Sequence, residues 1–130
     1  VKDYLINFSR PFIYTTAPAP HQLLSMYNGI LYLESHTDLI TNLNSKIDFF
    51  RKEIAKTDLH FIQSRSPIQA IMISGVEAVK KKAIYCQENG FDVRPILSPT
   101  VREGQERIRI CLHTYNTDVE IKNLVQTLSK

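Results

Sequence analysis

No apolar run in this sequence approaches the ~18–20 residues that a membrane-spanning helix needs; the longest, Ile68 to Ser74, is broken at once by Gln69. Cysteine is scarce: Cys86 and Cys111 lie far apart and show no metal-ligand spacing. They read as two reduced, partly buried thiols of a cytosolic protein. His21, His36, His60 and His113 are equally scattered, so no metal centre is expected. An excess of one charge is also missing. The formal net charge is +3, and basic residues are spread along the chain except at Lys80-Lys81-Lys82, which reads as a solvated helix face rather than a nucleic-acid patch. The start, Val1-Lys2-Asp3-Tyr4, has neither an initiator methionine nor the character of a signal peptide, and points to a piece of something longer.

What is present is the balance of a soluble globular domain with one core: 130 residues, 43% hydrophobic and 22% charged, without repeats or low-complexity tracts. Leu5 and Phe8 mark a short helix over 1–10, which Pro11 stops. The aromatic and β-branched run Phe12 to Thr16 predicts a strand, followed by a rigid Pro18 and Pro20 segment. A helix is expected from His21 to about Ser35, apolar over much of its circumference and so suited to burial against more than one neighbour. A second starts near Thr37, with Ile40, Leu43, Ile47, Phe50 and Ile54 as a narrow stripe. The pair has the proportions of connector helices.

After Lys56-Thr57-Asp58 the pattern predicts β-α-β-β-α: a strand over 68–74, a helix from Val76 stopped by Asn89-Gly90, and a strand over 91–97. An alternating strand over 106–113 follows, then a helix opened by the capping box Thr117-Asp118-Val119-Glu120. The expected fold class is α/β in the broad sense, an α+β small domain whose open, mostly antiparallel sheet carries helices over one face.

In the alternating strand, burial of Ile108, Ile110 and Leu112 turns Arg107 and Arg109 to the other face. That face meets either plain solvent or an anion, and a planar guanidinium matches a carboxylate with two parallel hydrogen bonds. The preceding segment, 98–106, is shaped by Pro99 and Gly104; its Thr100 either faces a cleft or belongs to an ordinary loop. Thr15 and Thr16, before the proline segment, are either ordinary threonines or donors placed for a phosphate.

Three stretches together resemble the α-oxoamine synthase family of pyridoxal-phosphate enzymes: Asn7 through Thr16, Ser66-Pro67-Ile68-Gln69, and Ile96 through His113. The resemblance runs over essentially the whole chain in the family's order. It implies the C-terminal domain of a fold-type I PLP-dependent transferase, with residues 1–36 ending the large PLP domain and starting the connector, and 37–130 forming the small domain. By this resemblance Arg109 binds the substrate's α-carboxylate and Thr100 belongs to the substrate site. Thr15 and Thr16 reach the phosphate of pyridoxal 5′-phosphate in the neighbouring subunit of a homodimer, and Arg107 supports the strand or hairpin.

The reaction implied is decarboxylative condensation of an amino acid with an acyl-CoA, L-alanine with pimeloyl-CoA or a carrier-protein equivalent in the best-matching member, in the cytoplasm. Siblings using glycine or serine with other acyl donors remain alternatives, as does a non-catalytic βαββα module that binds a ligand or partner. Two departures stand out. Some relatives have arginine where this chain has Leu97. The Schiff-base lysine, the histidine stacked on the cofactor and the aspartate at its pyridine nitrogen have no counterpart here, so this chain alone is expected to be inactive and to hold no catalytic residue of its own. Neither a nucleic acid nor a membrane is expected as partner.

Overall fold

A computed structural model describes all residues, 1–130, as two compact units, 1–37 and 38–130. In the first unit the chain forms α1 (Lys2–Phe8), α2 (Arg10–Ile13) and α3 (Pro20–Ser35). The strand expected over 12–16 is not there. Pro11 sits in the first turn of α2, where its missing N–H costs nothing, and Ser9 C=O accepts from Phe12 N–H (3.0 Å) and Ile13 N–H (3.1 Å). Strand propensity needs a neighbouring strand to act on, and this unit contains none. No residue of α1, α2 or α3 is buried.

The second unit is a layered α+β domain, as expected. α4 (Thr37–Ile54) leads into β1 (Phe61–Ile62), β2 (Ile68–Met72), α5 (Val76–Glu88), β3 (Arg94–Ile96), β4 (Arg107–Cys111) and α6 (Asp118–Ser129). The four strands order β1-β2-β4-β3, and every neighbouring pair is antiparallel. β1 is an addition to the predicted pattern. It is two residues long and exists through its pairing, Phe61 with Ile71 and Ile62 with Ala70.

Period-two alternation on β4 buries Ile108 and Ile110, and the same face of β2 buries Gln69 and Ile71. Against them lie Ile47, Phe50 and Ile54 of α4, Val79, Ala83 and Cys86 of α5, and Ile121, Leu124, Val125 and Leu128 of α6, in one core. The stripe predicted on α4 is thus buried from its middle onward, while Ile40 stays exposed. α5 ends as its sequence requires. Gly90 takes φ +87°, its N–H donates to Gln87 C=O (3.0 Å), and Phe91 N–H donates to Cys86 C=O (3.0 Å), which together close the helix. Lys46 on α4 reaches Asp118 at the start of α6 (2.8 Å).

Candidate substrate-binding strand and its surroundings

Because Ile108 and Ile110 are drawn into the core, Arg109 is held on the opposite face of the sheet, exposed, at the middle of β4. The register places Ala70 of β2 directly beside it on one side and Arg94 of β3 on the other. Directly opposed residues project to the same face, so two arginines stand together with a small alanine next to them. Arg94 is engaged by Asp92 (3.0 Å), whereas Arg109 makes no hydrogen bond or ion pair within the chain. Like charges in directly opposed positions are unfavourable unless an anion compensates them. With Arg94 compensated by Asp92, Arg109 is the cation of this face with unused donors, suited to a carboxylate or phosphate.

Arg107 differs. It is half-buried, lies beside Met72 and Ile96, and its Nε donates to Gln105 C=O (3.1 Å). That bond ties the Arg107 side chain to the connection entering β4.

A cavity of about 560 Å³ opens at the β3 side of β4. Ile110, Leu112 and Ile121 supply apolar wall, and Arg94, Arg109 and His113, with the acidic Asp92 and Glu120, supply polar groups. The β3 pairing stops at Arg94–Arg109 while the β2 pairing continues to Ile68–Cys111, which leaves this edge open. Such a mixture of apolar wall and charged groups of both signs fits a small polar organic molecule.

Thr100 does not line that cavity. It lies exposed in the turn between β3 and β4, where Val101 N–H donates to Leu97 C=O (3.2 Å) and Gln105 N–H to Arg102 C=O (2.9 Å). The Ser98–Pro99 peptide there is cis. Thr15 and Thr16 belong to the first unit, exposed between α2 and α3, and neither hydroxyl has a partner within the chain.

Two residues of this neighbourhood were not singled out from the sequence. Arg94 becomes a neighbour of Arg109 only through strand register. Glu106 is 1% exposed, and its carboxylate accepts from Gly75 N–H (3.0 Å) and Gly104 N–H (3.2 Å). The Gly75 amide, its own amide and the Gly104 amide hold its carboxyl below the usual value against the opposing effect of burial. No group of three or more metal-ligating side chains is present.

The class follows from the whole chain: residues 1–128 match the aminotransferase class I and II family, and the chain belongs to it. The relatives it matches carry a narrower name. The 8-amino-7-oxononanoate synthase of Stutzerimonas stutzeri is 31% identical over 128 residues, covering 98% of this chain and 33% of that protein. That of Emericella nidulans is 35% identical over 141 residues, covering 98% and 32%. The chain thus spans about a third of the length of these relatives.

Among solved structures, the 8-amino-7-oxononanoate synthase of Francisella tularensis superposes with a TM-score of 0.81 at 29% identity, over 98% of this chain and 37% of that one. A lysine-to-alanine variant of serine palmitoyltransferase from S. paucimobilis, solved with a PLP–myriocin aldimine bound, gives 0.81 at 16% identity over 98% and 32%, a likeness of fold. The open antiparallel sheet with its helices over one face is therefore the one found within these transferases.

Proposed function

We propose that this chain is the C-terminal part of a PLP-dependent 8-amino-7-oxononanoate synthase, an acyltransferase that condenses L-alanine with pimeloyl-CoA, or its carrier-protein equivalent, with loss of carbon dioxide. The observation that carries the reading is Arg109, fixed by its strand and left without a partner inside the chain. The names of the relatives support the choice of reaction.

In this reading Arg109 takes the amino acid's α-carboxylate by two parallel hydrogen bonds and fixes the orientation of its α-carbon. Thr100 contributes to the substrate site from its turn. The unpartnered hydroxyls of Thr15 and Thr16 fit a phosphate, and they would hold that of PLP across the interface of a homodimer. Bound PLP supplies an electron sink for the bonds broken and made at the substrate's α-carbon. The lysine that anchors it lies outside this chain, so residues 1–130 alone have no activity. Residues 1–36 belong to the end of the large domain and the start of its connector, 37–130 form the small domain, and the enzyme works in the cytoplasm. No helix here is long and apolar enough to cross a membrane.

The experiment is Arg109→Ala in the full-length enzyme. Affinity for L-alanine should fall ~30- to 1000-fold, since one partner of a partly desolvated charge pair is removed, while PLP stays bound. An unchanged dissociation constant for alanine in a spectral titration returns Arg109 to a merely solvated face. CoA release with alanine and pimeloyl-CoA, glycine and acetyl-CoA, or serine and palmitoyl-CoA separates the sibling enzymes. Acyl chains differing by several methylenes, each worth ~0.8 kcal/mol when buried, should give large rate ratios.

A further inference from the structure

Glu106 immediately precedes the arginine strand, and its side chain is 1% exposed. Burying a carboxylate is costly unless every oxygen is used. Here Oε2 accepts from Gly75 N–H (3.0 Å) and Oε1 from Gly104 N–H (3.2 Å). The two donors lie in separate turns: Gly75 precedes α5, and Gly104 lies in the connection from β3 to β4. Both glycines have left-handed backbone, φ +98° and +79°, which aims an amide where an L side chain would be strained. The turns also pack together, since a Cβ on Gly104 would sit 3.8 Å from Ser74 Oγ. The backbone of Glu106 joins the same junction, its C=O accepting from Ile73 N–H (3.0 Å).

We propose that Glu106 is a positioning residue whose carboxylate clips the Gly75 and Gly104 turns together, fixing the hairpin that carries Thr100 and the first turn of chain leading to Arg109. Packing alone does not call for a carboxylate at this place; an apolar side chain would fill it without desolvating a charge. Two amides aimed at two oxygens make a directional joint at the base of this connection, beside the backbone bond from Ile73 N–H to Glu106 C=O. This deepens the proposed function and rests on its assignment of the substrate to Arg109 and Thr100.

The test uses the full-length enzyme with Glu106→Gln, Gly104→Ala and the double variant, and Arg109→Ala as reference. A glutamine at 106 keeps one accepting oxygen and turns its NH₂ toward the other amide, so the clip is half broken from one end. An alanine at 104 breaks it from the other end by strain at φ +79°. Each single variant should raise KM for the amino acid ~10-fold with kcat within about twofold, because the carboxylate contact is weakened equally in the ground and transition states. The double variant should cost less than the product of the two single effects, since both act on the same clip. Hydrogen-exchange mass spectrometry should show faster exchange over 73–76 and 102–106, with the amides of α6 unchanged.

Unchanged KM in both single variants, with Arg109→Ala still damaging alanine binding, overturns the positioning role. So do multiplying effects in the double variant, or equal losses in kcat and PLP binding, which would mark a general structural defect. If Arg109→Ala itself has no effect, the substrate assignment fails, and the exchange measurement still decides whether the clip exists.

Discussion

Arg107 and Arg109 share one face of β4, two residues apart, and differ in what surrounds them. Arg107 donates to Gln105 C=O and lies half-buried between Met72 and Ile96; Arg109 lies between Ala70 and Arg94 with its guanidinium unused. The cysteines separate in the same way. Cys86 is fully buried on the core face of α5, and burial pushes its thiol above the ordinary value although Lys82 acts in the other direction. Cys111, on the outer face of β4, is exposed and free. A disulfide-exchange reagent at neutral pH should therefore modify one thiol of the native chain quickly, at Cys111. Cys86 should react only at the rate of opening, with both reactive in denaturant. Rapid labelling of two thiols under native conditions would contradict the burial of α5.

Helix ends are the clearest case at the scale of the element. Thr117 Oγ1 accepts from Glu120 N–H (3.2 Å), while Glu120 Oε2 accepts from Thr117 N–H (2.8 Å) and from its hydroxyl (3.0 Å). Thr117→Ala should lower the unfolding free energy by ~0.5–2 kcal/mol at pH 7. The amide of Thr117, then its hydroxyl, hold the Glu120 carboxyl below its usual value. A depressed folded-state pKa stabilises above the unfolded carboxylate value, about 4.3, and this contribution disappears as pH falls through the folded value. The difference between wild type and Glu120→Gln in urea unfolding should thus be largest near neutrality and shrink below about pH 4. A difference that stays constant to acid pH would mean that the cap does not depend on the charge of Glu120.

For the whole molecule, the distribution of burial sets the outcome. Every core residue falls between Ile47 and Leu128, and none comes from 1–37. Around α3, Leu23, Leu24, Tyr27 and Ile30 are each more than half exposed. Cooperative unfolding is expected to belong to 38–130 alone: deleting 1–37 should change its unfolding free energy by less than ~1 kcal/mol. The 130-residue chain should bind a hydrophobic dye and associate at high concentration, and the shorter piece should not. A large loss of stability on deletion, measured by urea titration, would show that the first unit contributes to the core after all.

Much of the fold was legible in the sequence because its signals are local. The capping box of α6, the Asn89-Gly90 stop of α5 and the alternation on β4 each involve residues a few positions apart, and each forms as expected. The resemblance pointed to Arg109, and alternation already placed it on the outer face. Long-range contacts decided the rest. The run Phe12 to Thr16 has the composition of a strand but no partner in its unit, so its first part closes into α2. β1 is too short to announce itself and is a strand only because Ile71 and Ala70 pair with it. Arg94 stands beside Arg109 because β4 inserts between β2 and β3, an order that no local pattern contains. Glu106 looks like a surface charge in the sequence and is buried because the amide of Gly75, 31 residues away, is brought to meet it. Dihedral preferences and side-chain periodicity act over a few residues and are written in the chain; strand order, register and the partners of a buried charge arise only when distant segments meet.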